Sequence, residues 1–425
     1  MKLLRTTGRG SREAAKIIAT IENRGYTSFD SVLPAVRRIV ADVQKRGDSA
    51  LLRYAARLDG LVDPLKLRVS QDEMAAAWNT LDPALQNALS TAAAQIRGFA
   101  ERQMPNSWTY SPVLGLSTGQ LVRPLDAVGC YVPSGRHPLP STLLMTAIPA
   151  QVAGVPRIVV VSPHPATATL AAAHLLGIAE FYRVGGAHAI AALAYGTESI
   201  PRVDKIVGPG NLYVTAAKRL VAFDCAIDML AGPTEAVVVS DRGDPGWIAA
   251  DLVAQAEHDP EALAIFVTTR EPMAMAVIAE AKRRSRKNPV ARAALDRKGI
   301  AILASDSNEA RDITNRIAPE HLTVDDDADL VWIQNAGSVF VGPWSAQPMG
   351  DYISGPNHTL PTGGMARVRG GLSVNDFVKL ITVQEYTRQG LREISPHALA
   401  IAEAEGLPAH AESVRVRLQA RRSGG

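Results

Sequence analysis

The chain is poor in cysteine, nearly balanced in charge and free of any long uninterrupted apolar run, and each shortage removes a class of protein. Cys130 and Cys225 are the only cysteines in 425 residues. Two thiols are too few for a thiolate zinc cage or a disulfide framework, and they suit a reducing cytoplasm. A formal net charge of +3 gives no overall electrostatic case for a nucleic-acid or membrane partner. The densest basic run, Lys282-Arg-Arg-Ser-Arg-Lys287, follows a helical stretch whose C-terminus it complements, and it reads as a solvated face. Arg5, Arg9, Arg12 and Lys16 interrupt the N-terminal segment, so no signal-peptide core is expected there. The most membrane-like stretch, 141–162, is broken by Pro149, Gln151, Pro156 and Arg157. It reads as a buried helix followed by a buried strand.

What is present is the composition of a globular protein, 47% apolar and 20% charged, on a chain long enough for two or more domains. Segments 32–57 and 71–102 carry apolar residues at helical spacing, so the first 120 residues or so are expected to be largely helical. After Pro124 short β-branched runs alternate with Ala-rich helical ones. Strands are predicted over 157–162, 180–184, 205–207, 236–240, 262–268 and 299–303. Helices are predicted over 166–177, 187–195, 213–221, 248–258 and 272–284. Asp244-Pro245 is an N-cap and first-turn pair for the fourth of these. Such alternation predicts open parallel α/β sheets, two of them, with a crossing after Gly232-Pro-Thr-Glu235. Beyond Gly371 the pattern is again helical, and the tail 409–425 is Arg-rich. No G-x-G-x-x-G, P-loop, G-x-S-x-G or C-x-x-C occurs. The turns Gly185-Gly186, Gly208-Pro-Gly210 and Gly363-Gly364 lack the fingerprint spacing, so a Rossmann-type sheet would here lack the standard pyrophosphate grip.

Four clusters could carry chemistry. Gln255 and His258 are three apart on a predicted helix and share a face, half of a metal site or a bland helical pair. Glu320-His321 follows Pro319, which points to a helix start or a turn. An adjacent acid and imidazole can divide two proton transfers, and the pair is equally a helix-start Glu beside an incidental His. Gly350-Asp-Tyr-Ile-Ser-Gly-Pro-Asn-His358 reads as a polar loop, with Asp351 a possible ligand and His358 a possible substrate contact. Glu405-Gly-Leu-Pro-Ala-His410 adds another acid and imidazole. Two His, an Asp and an amide oxygen form a borderline N/O set suited to zinc.

Taken in order, these segments resemble the histidinol dehydrogenase family. They include Tyr131-Val-Pro133, Leu139-Pro-Ser-Thr142, 191–197 (AALAYGT), 206–213 (IVGPGNLY) and Ala231-Gly-Pro-Thr-Glu235. Gln255-Ala-Glu-His258, 318–322 (APEHL), 350–362 and 405–410 complete the series. The resemblance implies two incomplete Rossmann-like parallel-sheet domains, with small helical N- and C-terminal elements, in an intertwined homodimer. It implies a metal and acid–base domain from 29–128 and 235–371, and a dinucleotide domain from 1–28 and 129–234. A linker or dimerisation segment, 372–395, and a small domain, 396–425, lending residues to the partner's site would follow.

The implied activity is zinc-dependent oxidation of L-histidinol to L-histidine through L-histidinal with two NAD+. Gln255, His258, Asp351 and His410 match the zinc ligands, and Glu320 and His321 the acid–base pair. Thr234, His358 and Glu405 match substrate contacts, which the zinc ligands and His321 share. Tyr131, His188 and Asn211 match the NAD positions. The chain departs from the family at His188, where Gln is usual, at Ser134-Gly-Arg-His-Pro138 and at Pro356. Rival readings are a dehydrogenase of another small alcohol, a cysteine-nucleophile aldehyde oxidation and a non-catalytic ligand-binding paralogue. Glu405, His410 and Gly371-Leu-Ser-Val374 favour histidinol.

Overall fold

A computed structural model describes residues 1–25, 29–134 and 138–419. Most of the Ser134–Pro138 turn therefore lies outside the described residues. In chain order the described strands begin with β1 (Lys2–Arg5), β2 (Trp108–Val113), β3 (Leu116–Pro124), β4 (Ala127–Tyr131) and β5 (Arg157–Val161). There follow β6 (Glu180–Tyr182), β7 (Lys205–Val207), β8 (Ala226–Ile227), β9 (Glu235–Val239) and β10 (Leu263–Thr268). The last are β11 (Ile300–Leu303), β12 (His321–Val324), β13 (Ser338–Val341) and β14 (Val378–Tyr386). The chain divides into two units, Met1–Gln103 with Leu125–Phe377, and Met104–Pro124 with the chain from Val378 onward.

The first unit holds two parallel sheets, six strands in the order β1-β11-β10-β9-β12-β13 and five in the order β6-β5-β4-β7-β8. Their strands are continuous apolar runs because helices cover both faces. Val159, Val160 and Val161 of β5 and Ile265, Phe266 and Val267 of β10 are fully buried. The crossing between sheets falls between β8 and β9, where Gly232-Pro-Thr-Glu235 was expected to place it. The 141–162 stretch is a helix, Pro140–Val152, followed by β5, and the helix is buried nearly all round. Among the described residues no helix is long and apolar enough to cross a membrane.

The two N-terminal segments join the sheets in the reverse of the expected assignment. β1 pairs with β11, Leu3 opposite Ala301, so residues 2–5 complete the six-stranded sheet rather than joining 129–234. Helix Leu33–Leu58 packs on helices Gly186–Tyr195 and Leu212–Val221 over the five-stranded sheet. Periodicity names an element, but an edge strand's sheet is chosen by which edge its apolar face completes. Here Leu4 buries with Ile300 and Ile302.

The second unit is an antiparallel sheet, β14-β3-β2, with helices Arg388–Ala404 and Pro408–Gln419 packed on each other. β2 and β3 lie where helix was expected, and β14 lies in the expected linker segment.

Candidate active site

β9 and β12 are parallel neighbours with His321 opposite Ala236. The residues entering both strands therefore meet at one edge of the sheet. Helix Ser307–Ile317 stops at Ala318 in the left-handed region, φ 50°, and Pro319 cannot continue it. Glu320-His321 thus sits where the bend after a helix end runs into a strand, the turn rather than the helix start of the two placements expected.

Glu320 is buried, and its Oε2 accepts from Thr234 Oγ1 at 2.6 Å and from the Glu235 amide at 2.8 Å. Burial pushes its carboxyl up to about 7. The Nδ1–H of His321 donates to the Glu235 carbonyl at 3.2 Å. That bond leaves Nε2 as the basic nitrogen, 3.8 Å from Asp351 Oδ1. Burial opposes charge on His321, but the Glu320 and Asp351 carboxylates outweigh it and hold the imidazole above its ordinary value. Phe340 stacks on the ring at 6.0 Å.

Asp351 belongs to a short helix, Pro348–Tyr352, rather than to the expected loop. Its carbonyl accepts from His358 Nδ1 at 2.9 Å. Burial would raise the Asp351 carboxyl, yet the facing imidazoles of His321, His358 and His258 keep it below the usual range. Burial likewise pushes His358 down. A cavity of about 470 Å³ opens over these groups, lined by His321, Asp351, His358, Phe340 and Trp344.

Gln255 is buried in the last turn of helix Pro245–Ala256. Its Nε2 donates to Thr234 Oγ1, and its Oε1 accepts from Gln347 Nε2 at 2.6 Å. His258 lies beyond the helix end, its amide 3.4 Å from the Gln255 carbonyl. The shared helical face expected for the two does not form. A hydrogen-bonded run Gln255–Thr234–Glu320 links Gln255 alone to the acid–base pair.

Glu405 and His410 belong to the second unit, at the end of helix Arg388–Ala404 and the start of helix Pro408–Gln419, and both are exposed. Among the described residues no group of three or more His, Cys, Asp or Glu comes together to hold a metal. The implied ligand set includes a glutamine, and one of its histidines lies in the other unit.

Sequence reasoning overlooked Glu235 and Arg24. The buried Glu235 carboxylate pairs with the Arg24 guanidinium through two contacts of 2.5 Å and accepts from the Gly363 amide at 3.0 Å. Glu235 stood in the quoted Gly-Pro-Thr-Glu motif, but nothing in spacing links it to an arginine 211 positions away.

The other predicted positions gather at the five-stranded sheet. Strand order reverses between β4 and β7, and ligands of open α/β sheets bind at the strand C-termini at such a point. Tyr131 ends β4, and its hydroxyl accepts from the Gly186 amide at 3.1 Å. Asn211 caps helix Leu212–Val221 through the Tyr213 and Val214 amides. Gly208, φ 108°, permits the close approach between them, since a Cβ there would lie 2.3 Å from the Tyr131 carbonyl oxygen. His188 is fully buried, its Nε2 2.7 Å from Asp59 Oδ2. Cys130 and Cys225 are buried, and desolvation pushes both thiols up to about 12, so neither offers a thiolate.

Paired parallel sheets, one bearing a buried acid–imidazole pair and the other an open switch point, define a two-sheet oxidoreductase. The chain matches the histidinol dehydrogenase family over residues 22–418 and belongs to it. It is 46% identical to histidinol dehydrogenase of Methanothermobacter thermautotrophicus over 95% of this chain and 97% of that one. Identity to histidinol dehydrogenase of Geobacillus kaustophilus is 48%, over 91% of this chain and 93% of that one. A solved structure of histidinol dehydrogenase from Elizabethkingia anophelis superposes with a TM-score of 0.92 at 35% identity, covering 99% of this chain and 98% of that one.

Proposed function

We propose that the chain oxidises L-histidinol to L-histidine through L-histidinal, reducing two NAD+, as a homodimeric cytoplasmic enzyme of histidine biosynthesis. One observation carries this reading: two buried proton-transfer groups on adjacent residues, poised differently. His321 lines the cavity with its Nδ1 held by the Glu235 carbonyl, and Glu320 holds a carboxyl at about 7. NAD+, when bound, accepts the hydride of each oxidation.

The alcohol's hydroxyl proton goes to His321 Nε2 as its carbon loses a hydride, giving the aldehyde. Glu320 then takes a proton from water as the water adds to the carbonyl, whose oxygen takes back the proton held on His321. Loss of a second hydride and proton from the hydrate gives the carboxylic acid. The balance is one alcohol, one water and two NAD+ consumed. Thr234 links Glu320 to the buried Gln255 side chain and fixes the carboxyl's direction. No covalent nucleophile is needed.

The donor chemistry fits zinc. Gln255 Oε1 keeps a lone pair beyond its bond to Gln347, and the His258 and His358 charges bear on Asp351. Gln255, His258, Asp351 and His410 would hold the ion, with His410 and Glu405 lent by the partner subunit. Such an ion would orient the substrate's amine and imidazole nitrogens. The Tyr131–Gly208–Asn211 end fits NAD, because helices Gly186–Tyr195 and Leu212–Val221 both start at the strand C-termini of the sheet whose order reverses between β4 and β7. A coupled NADH assay on a panel of small alcohols tests the substrate. Histidinol should give the highest kcat/KM, and turnover of another alcohol with none of histidinol would reverse the reading.

A further inference from the structure

The turn between β6 and helix Gly186–Tyr195 lies at the same sheet edge as Tyr131 and Asn211, yet it lacks the glycine spacing that shapes a dinucleotide turn unaided. Other groups hold it. The Gly185 amide donates to Asp59 Oδ2 at 2.9 Å, and the Gly186 amide donates to the Tyr131 hydroxyl at 3.1 Å. A Cβ on Gly185 would press within 2.6 Å of Pro163, and Gly186 sits at φ 58°. The turn is therefore pinned from two sides and crowded from a third.

Asp59 Oδ2 also takes the imidazole of His188, the third residue of the helix that the turn begins. A carboxylate is acceptor-only, so it is Nε2 that carries a proton toward it, and Nδ1 is the other ring nitrogen. That Nδ1 is buried and has no partner among the described residues. It lies 3.5 Å from the place of a Gly186 Cβ, directly behind the turn. One carboxylate oxygen at the end of helix Leu33–Leu58 thus grips both the turn backbone and the helix after it.

We infer that Asp59 and His188 are positioning residues for the dinucleotide: their pair fixes the Gly185-Gly186 turn in the shape that admits the cofactor's pyrophosphate. The inference rests on placing NAD at the Tyr131–Asn211 end. His188 acts through the turn and does not itself touch the cofactor, because its ring is fully buried. The family position it occupies has become a support in this chain rather than a contact.

The test is the NAD+ dissociation constant, measured by calorimetry without histidinol, alongside Tm. Asp59→Asn and His188→Leu should each raise Kd about tenfold, with KM for NAD rising in step and kcat within twofold. His188→Gln, whose amide N–H can replace Nε2–H toward Asp59, should stay within about threefold of wild type. A lowered Tm with unchanged Kd in the first two variants would show a purely structural pair and overturn the inference. Wild-type imidazole nitrogen shifts provide a check that needs no variant: an Nδ1–H tautomer at His188 would also overturn it. Amide exchange separates this from the cofactor placement. If NAD+ slows exchange around 208–214 in wild type while Asp59→Asn binds NAD+ equally well, the positioning role alone fails. If NAD+ slows exchange at neither 185–189 nor 208–214, the placement fails and the inference with it.

Discussion

Glu320 shows how one buried carboxyl is tuned by what surrounds it. Desolvation lifts it from an ordinary 4.5 to about 7, while Thr234 and the Glu235 amide hold it back from rising further. As a base for water it works deprotonated, so the aldehyde-to-acid step should gain rate as pH rises through about 7. Glu320→Gln should slow that step about 10²–10³-fold and leave histidinal accumulating, measurable by trapping the aldehyde. Stability moves the other way. The folded protein binds this proton more tightly than the unfolded chain does. Its stabilising share is full below pH 4.5 and is lost as pH rises through about 7. The Gln variant should flatten the Tm-against-pH curve across that window, and an unchanged slope would contradict the burial argument. The acid and imidazole were legible in the sequence as neighbours. Their environments were not, because burial and the Glu235 carbonyl arrive through β9, which spacing along β12 does not reveal.

Among elements, the strands that could be read were those buried on both faces. β5, β7, β9, β10 and β11 announce themselves by β-branched residues and β6 by the aromatic pair Phe181-Tyr182, and each falls within two residues of its predicted span. β2 and β14 escaped because nearly every residue on them is exposed, so no alternation marks a buried side. β12 and β13 were not read either. The Arg24–Glu235 pair fastens the end of helix Ser11–Glu22 to the head of β9. Arg24 also donates to the Ile21 and Ile317 carbonyls. Removing one partner leaves the other's charge buried, so Arg24→Ala or Glu235→Ala should cost about 3–5 kcal/mol in urea unfolding. The double variant should cost less than the sum, and additivity would show that the two do not act as a pair.

At the scale of the whole molecule, the proposed ligand set draws on both units and on a second subunit. Glu320→Gln and His410→Ala subunits should each assemble into dimers that form almost no histidine, the activity followed here. Mixed and reassociated, half the dimers would be hybrids with one intact site, restoring about a quarter of wild-type activity. Sites built within single subunits would give no recovery. A contribution from the second unit could be proposed from the Glu405–His410 motif. Its antiparallel sheet could not, since apolar residues of β2 and β14 such as Trp108, Tyr110, Leu380 and Ile381 are exposed and no alternation marks a buried face. The most direct measurement is NADH formed per histidinol consumed, with and without a zinc chelator. Two NADH per histidinol, falling to none on chelation and returning with added zinc, is the expected result. One NADH per histidinol, or full turnover in the chelator, would contradict a zinc-held, two-step oxidation at this site.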